Sequence, residues 1–102
     1  MSTLRDHTVL VLGLGESGLA MARWCARAGA SVIAWDSREA PPMVDALRAE
    51  LPQVRIHTGT ADIALLDGVA RVLKSPGLAP QDERIAALLA TARERGIAVQ
   101  GE

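Results

Sequence analysis

The feature that most constrains this chain is a glycine triplet set where one hydrophobic period gives way to another. Residues 8–12 are a near-continuous apolar run, as a strand buried on both faces requires. Gly13, Gly15 and Gly18 follow at once. From residue 17 to 28 the small and apolar residues recur at helical spacing, with Gly18, Met21, Ala22, Cys25 and Gly29 on one face and Arg27 opposite. G-x-G-x-x-G has meaning only in this setting, with a strand before it and a helix after. Gly13 allows the tight turn, Gly15 lets a ligand approach the backbone, and Gly18 lets the helix pack close to the sheet. Exposed N–H groups at the helix start favour an anionic or hydrogen-bond-accepting ligand. The plainer alternative is a glycine-rich turn kept only for packing.

The alternation continues to the end of the chain. Residues 31–35, 54–56, 69–73 and 97–99 read as further strands. Residues 82–95 place Ile85, Leu88, Leu89 and Ala92 on one helical face, with Glu83 and Glu94 opposite. Pro41 and Pro42 open a helix over 43–51 and Pro52 ends it, because a first-turn proline loses no intrahelical bond. A short helix is expected over 62–66. Gly29 and Gly96 stop the first and last helices, where a left-handed residue is cheapest without a Cβ. Strands and helices joined by short connections imply parallel strands and right-handed crossovers. The predicted fold is α/β, a Rossmann-like three-layer αβα sandwich. Its five-stranded parallel sheet has the order 3-2-1-4-5, and about four helices cover it.

Composition narrows the class. With 102 residues the chain is one domain, and at 49% hydrophobic with two Trp and no Phe or Tyr its core is Ala, Leu, Val and Ile. That excludes intrinsic disorder. A net charge of -1 without any block of like charge lacks the basic footprint of a nucleic-acid or membrane-surface binder. The single Cys25 cannot form an internal disulfide, and no Cys/His cluster has zinc spacing. The N-terminus is polar and no stretch approaches a membrane span. A reduced, soluble, cytoplasmic protein is expected. The chain stops just after its fifth strand run, as at a domain boundary within a longer chain.

Two more segments carry possible chemistry. Asp36 closes the second strand, where an acid accepts hydrogen bonds from a ribose or base edge, and Ser37 and Arg38 add a hydroxyl and a five-donor cation. A solvated strand-end turn is the alternative. Lys74, Ser75, Pro76 and Gly77 follow the fourth strand, beside the first at the topological switch point where open α/β sheets bind ligands. Ser75 offers a hydroxyl, and a Pro-Gly turn can aim N–H groups at an anion. A type II turn that merely ends the strand is equally compatible. Glu16 stands where the pyrophosphate of a dinucleotide would lie, and so tilts the glycine loop toward a neutral base or sugar. His57 reads as a lone exposed histidine in a turn, Cys25 as core, and Trp24 and Trp35 as packing residues, with Trp35 able to flank a base. No G-x-x-x-x-G-K-[ST] loop, metal cluster or nucleophile–base pair is present. The chain is expected to bind, without catalytic or metal-ligating residues of its own.

Taken in order, residues 11–19, 35–42, 57–59, 74–77 and 96–102 resemble the N-terminal domain of the Mur ligases, most nearly the D-glutamate-adding members. The run from Asp36 to Pro42 together with Ser75-Pro76-Gly77 is far more specific than the glycine loop. The resemblance implies a cytoplasmic three-domain enzyme of peptidoglycan synthesis, driven by ATP and Mg²⁺ through an acyl phosphate. Residues 1–102 would be its UDP-binding domain, non-catalytic alone, with UDP-N-acetylmuramoyl-L-alanine and the other two domains in cis as partners. Carried over by position, Glu16 and Ser17 would meet the uracil, mainly through backbone, with Gly15 and Gly18 beside them in the UDP site. Asp36, Ser37 and Arg38 would surround the uridine, and Ser75 would contact the diphosphate, with Pro76 and Gly77 next to it in the UDP site. Positions 17 and 37 carry Ser where Thr is frequent in the family, and Glu16 replaces what is often an apolar residue. The rival reading is a free-standing NAD-binding regulatory module, since Asp36 also suits an NAD ribose.

Overall fold

A central strand with both faces covered organises the molecule. In the computed structural model, which describes residues 6–78 and 82–101, β1 spans Thr8–Leu12 and its last four residues are wholly buried. The chain continues through α1 (Glu16–Arg27), β2 (Ser31–Asp36), α2 (Val44–Glu50), β3 (Arg55–Thr58), a 3₁₀ turn (Ile63–Leu66), β4 (Val69–Lys74), α3 (Glu83–Glu94) and β5 (Ala98–Gln100). All strand pairs are parallel, and the sheet order is β3-β2-β1-β4-β5. The predicted architecture is therefore present. Strand limits agree within two residues, because β-branched runs bounded by Gly and Pro mark them sharply.

The pleat divides β1 and β2 between two cores. Val9, Val11, Val32 and Ala34 pack with Leu19, Ala22 and Cys25 of α1 and Leu47 of α2. On the other face Leu10, Leu12, Ile33 and Trp35 pack with Ile85, Leu88, Leu89 and Ala92 of α3. Cys25 is buried among these apolar groups, and burial pushes its thiol up, so it is core and not nucleophile. Gly29 and Gly96 have the positive φ expected after α1 and α3.

Several expectations are corrected. The short helix expected over 62–66 is a 3₁₀ turn, capped by Asp62, whose carboxylate accepts the Ala64 N–H. Trp24 is 56% exposed; with Ala22 and Cys25 turned onto the sheet, its position falls about 100° away around α1. Gly29 is likewise exposed, at the end of that helix. His57 lies in β3, opposite Trp35 in the register, and not in a turn. Glu102, the last residue of the terminal motif, lies outside the described residues.

Two glycines of the triplet make opposite demands. A Cβ at Gly18 would run into the backbone carbonyl of Gly13, whereas one at Gly15 meets nothing within 4 Å. Gly18→Ala should therefore cost roughly 2–3 kcal/mol in urea unfolding, as overpacking against rigid backbone does, with Gly15→Ala close to neutral. Equal effects at the two positions would contradict the assigned packing.

Candidate functional site

The strands β1 and β4 are neighbours, and their chain continuations part to opposite sides of the sheet, opening a crevice at their C-terminal ends. A cavity of about 390 Å³ lies there. The glycine loop contributes Gly13 and Gly15, and the end of β2 contributes Trp35, Asp36, Ser37 and Arg38. Ser75, Gly77 and Leu78 follow β4, and Arg84 comes from the first turn of α3.

The glycine loop is held from two sides. Gly13 donates to the Trp35 carbonyl at 2.7 Å, and Leu14 donates to Asp36 Oδ2 at 2.8 Å. Leu14 buries its side chain in the α1-side core and accepts the Met43 N–H ahead of α2. Gly13 has φ +97, and a Cβ there would stand 2.9 Å from Ser75 Cβ. The close approach of the two loops that flank the crevice thus depends on that glycine.

Asp36 is buried, and its carboxylate is occupied within the protein. Besides the Leu14 N–H, its Oδ1 accepts the Arg38 N–H at 2.8 Å and Arg38 Nε at 2.9 Å, and its Oδ2 accepts Arg38 Nη2 at 2.8 Å. Burial works against the ionised form, yet the Arg38 fork and the Leu14 and Arg38 N–H groups outweigh it and hold the carboxyl at about 2, from 3.8. The acid expected to meet a ribose or base is thus first a brace between the glycine loop and Arg38.

The loop after β4 is braced from beneath. Lys74 is buried, and its ammonium donates to the carbonyls of Ser75, at 3.2 Å, and Leu78. Leu78 N–H closes the turn onto the Ser75 carbonyl at 3.0 Å. Gly77 does not have a positive φ, so this is not the type II turn considered above. Ser75 N–H donates to the Leu12 carbonyl, which keeps the loop in register with β1.

Of the residues singled out from sequence, Gly15, Asp36, Ser37, Arg38, Ser75 and Gly77 line one cavity. Glu16 and Ser17 are exposed on the first turn of α1, Gly18 is buried against Gly13, and Pro76 is exposed; none of these four lines it. His57 belongs to a separate depression of about 340 Å³ with Arg55, Asp62 and Asp67. Sequence reasoning missed Arg84. It donates through Nε and Nη2 to Asp82 and through Nη1 to Ser37 Oγ at 2.9 Å, so it spans the crevice. The only signal available was its place in the first turn after the Ser75 loop. Among the described residues no group of three His, Cys, Asp or Glu side chains could hold a metal ion, and no helix is long and apolar enough to cross a membrane.

Comparison with known proteins gives a consistent result. Residues 7–101 match the family model described as Mur ligase MurD-like, N-terminal domain. The chain is 58% identical over 97% of its length to a UDP-N-acetylmuramoylalanine--D-glutamate ligase of Ralstonia nicotianae. It is 51% identical over its full length to the ligase of that name from Albidiferax ferrireducens. The chain spans about 20% of the length of each of these curated relatives. Among solved structures, shikimate dehydrogenase from Aquifex aeolicus superposes with a TM-score of 0.66 at 18% identity, over 96% of this chain and 43% of that one. That likeness is one of fold.

The Asp36 brace makes stability depend on pH. Its folded value lies below the unfolded one, so the stabilisation is complete above about pH 4 and is lost as pH falls toward 2, amounting to about 2 kcal/mol. The stability gap between wild type and Asp36→Asn in urea unfolding should be widest near neutrality and narrow between about pH 4 and pH 2. Asp82, held to about 2 by its hydrogen bonds from Arg84, titrates in the same window. The comparison with Asp36→Asn separates the two. A gap constant across that window would rule out the ionised brace.

Proposed function

Since the chain belongs to the MurD-like N-terminal domain family of the Mur ligases, we propose that it holds the uridine diphosphate part of UDP-N-acetylmuramoyl-L-alanine for ligation of D-glutamate in peptidoglycan synthesis. One observation carries this reading. The switch-point cavity joins an unobstructed Gly15 backbone to walls rich in hydrogen-bond donors, and the relatives it resembles are named for a UDP substrate. In this reading the uridine sits on the Gly15 backbone between the start of α1, whose Glu16, Ser17 and Gly18 lie outside the lining, and Ser37 and Arg38, with Asp36 holding the Leu14 N–H and the Arg38 guanidinium in place. The diphosphate lies on Ser75 and Gly77, either side of the exposed Pro76, in a turn held by Lys74. Glu16, on the exposed start of α1, disfavours a pyrophosphate on the glycine loop.

The same reading assigns the chemistry elsewhere. This sequence contains no triphosphate-binding loop. The ATP and Mg²⁺ sites, the acyl-phosphate step and the D-glutamate site belong to a central and a C-terminal domain of a cytoplasmic parent enzyme. The part played by residues 1–102 is positioning of the nucleotide end of the substrate, which lets remote binding energy orient the reacting end.

Binding by the chain alone should be weak, roughly millimolar or about 4 kcal/mol, and visible as amide chemical-shift changes. UDP should move the amides of residues 15–18, 36–38, 75 and 77 together, with NAD doing little at the same concentration. Gly15→Val should abolish the response at modest stability cost. Ser75→Ala should weaken UDP more than uridine, by about 1.5–3 kcal/mol for a hydrogen bond to a charged group. Tight NAD binding with those amides unmoved by UDP would instead establish a dinucleotide module. Phosphate release by the pure chain with ATP, Mg²⁺, the nucleotide substrate and D-glutamate should stay at background. ATP-dependent turnover would overturn the non-catalytic assignment.

A further inference from the structure

Two copies of one small device face the cavity. Asp36 and Arg38 form the first, at the end of β2. Asp82 and Arg84 form the second, at the start of α3. In each, the aspartate Oδ1 accepts both the backbone N–H and the Nε of the arginine two residues on, and Oδ2 accepts its Nη2. A guanidinium is planar, so fixing its Nε–Nη2 edge also fixes the direction of Nη1. In the second device Nη1 reaches across the crevice to Ser37 Oγ at 2.9 Å. Among the described residues no other group bonds to that oxygen.

We propose that Arg84 is a positioning residue of the nucleotide site, which holds Ser37 as an acceptor so that its hydroxyl proton is left to donate to a carbonyl of the bound base. This rests on the nucleotide reading above and extends it to base selection. A serine hydroxyl has one proton and two lone pairs, and when free it rotates to suit a donor or an acceptor. Arg84 has only donors, so Ser37 must accept from it. The hydroxyl keeps its single proton and one further lone pair, and no other group among the described residues takes that proton, so it is left for the ligand. A uracil carbonyl satisfies it, whereas the amino group that cytosine carries in the same place can use only the remaining lone pair and leaves the proton without an acceptor. A site built to donate to its ligand rejects the analogue that cannot accept, because buried polar groups are left unpaired. Asp36 cannot relax this choice, since its carboxylate is occupied by Leu14 and Arg38.

The test compares UDP with CDP by chemical-shift titration of the 102-residue chain, in wild type, Arg84→Met, Ser37→Ala and the double variant. The Arg84 side chain is 57% exposed, and the Asp82 cap of α3 uses the Arg84 backbone N–H, so Arg84→Met keeps both the fold and the cap. Wild type should prefer UDP, and either single substitution should lower that preference about three- to tenfold. The double variant should lower it no further, because both substitutions remove one arrangement. A purely structural Arg84 would weaken both nucleotides alike and leave the ratio unchanged, which would overturn the proposal. Additive losses in the double variant would also overturn it. If wild type binds both nucleotides without preference, this inference alone fails. If wild type binds neither, the nucleotide assignment of the cavity fails first and this inference with it.

Discussion

The Asp36 carboxylate, at the buried end of β2, accepts the N–H of Leu14 from the middle of the glycine loop and both the backbone N–H and the Nε–Nη2 edge of Arg38 from the loop beyond. Three separate requirements meet in it. The loop after β1 needs a partner for a buried N–H, which otherwise costs roughly 1–3 kcal/mol. A carboxylate drawn out of water needs compensating charge, which Arg38 supplies. Arg38 itself needs a fixed orientation to serve as a donor toward the crevice. One side chain therefore couples the stability of the strand ends to the arrangement of the candidate site.

The rest of the site inherits its rigidity from the sheet. Residues 9–12 of β1 are wholly buried because α1 and α2 cover one face and α3 the other. The backbone bonds of β1 with its neighbours run on past its end, through Gly13 to Trp35 and through Ser75 to Leu12. The two loops that flank the crevice are thus extensions of the hydrogen-bonded sheet. Their close approach needs a glycine at position 13, where any side chain would press on Ser75 and the backbone is left-handed. Lys74 completes the support by holding the Ser75 turn from below.

The fold is shared with dehydrogenases at identities near 18–20%, one of them an NAD complex. That likeness is one of fold and identifies neither a site nor an occupant. The occupant is a question for the walls. With Asp36 engaged internally, the mouth of the cavity presents mainly donors: Arg38, Arg84, Ser37 and the loop N–H groups. Such a lining suits carbonyl and phosphate oxygens. The proposed nucleotide reading rests on this donor-rich lining and on relatives named for a UDP substrate.

Much of this was readable from residues alone. The apolar run before Gly13, the helical spacing from Gly18 to Cys25 and the glycines that close α1 and α3 are local patterns. Each is written in adjacent residues and sets the element order; the rules of parallel crossovers then gave the sheet order, and six residues of the cavity lining could be placed. What was not legible depended on rotation about an axis or on partners far along the chain. Trp24 lies outside because the sheet chose the face holding Ala22 and Cys25. Asp36 spends its carboxylate on Leu14 and Arg38, although sequence offered it to a ligand. Arg84 carried no motif, and it meets Ser37 only because parallel crossovers bring the start of α3 to the C-terminal edge of the sheet beside the end of β2. Sequence periodicity decides which residues form strands and helices, since the pattern repeats within a few positions. Only the tertiary structure decides which polar groups meet, since those pairings join segments whose distance is set by sheet order and helix rotation.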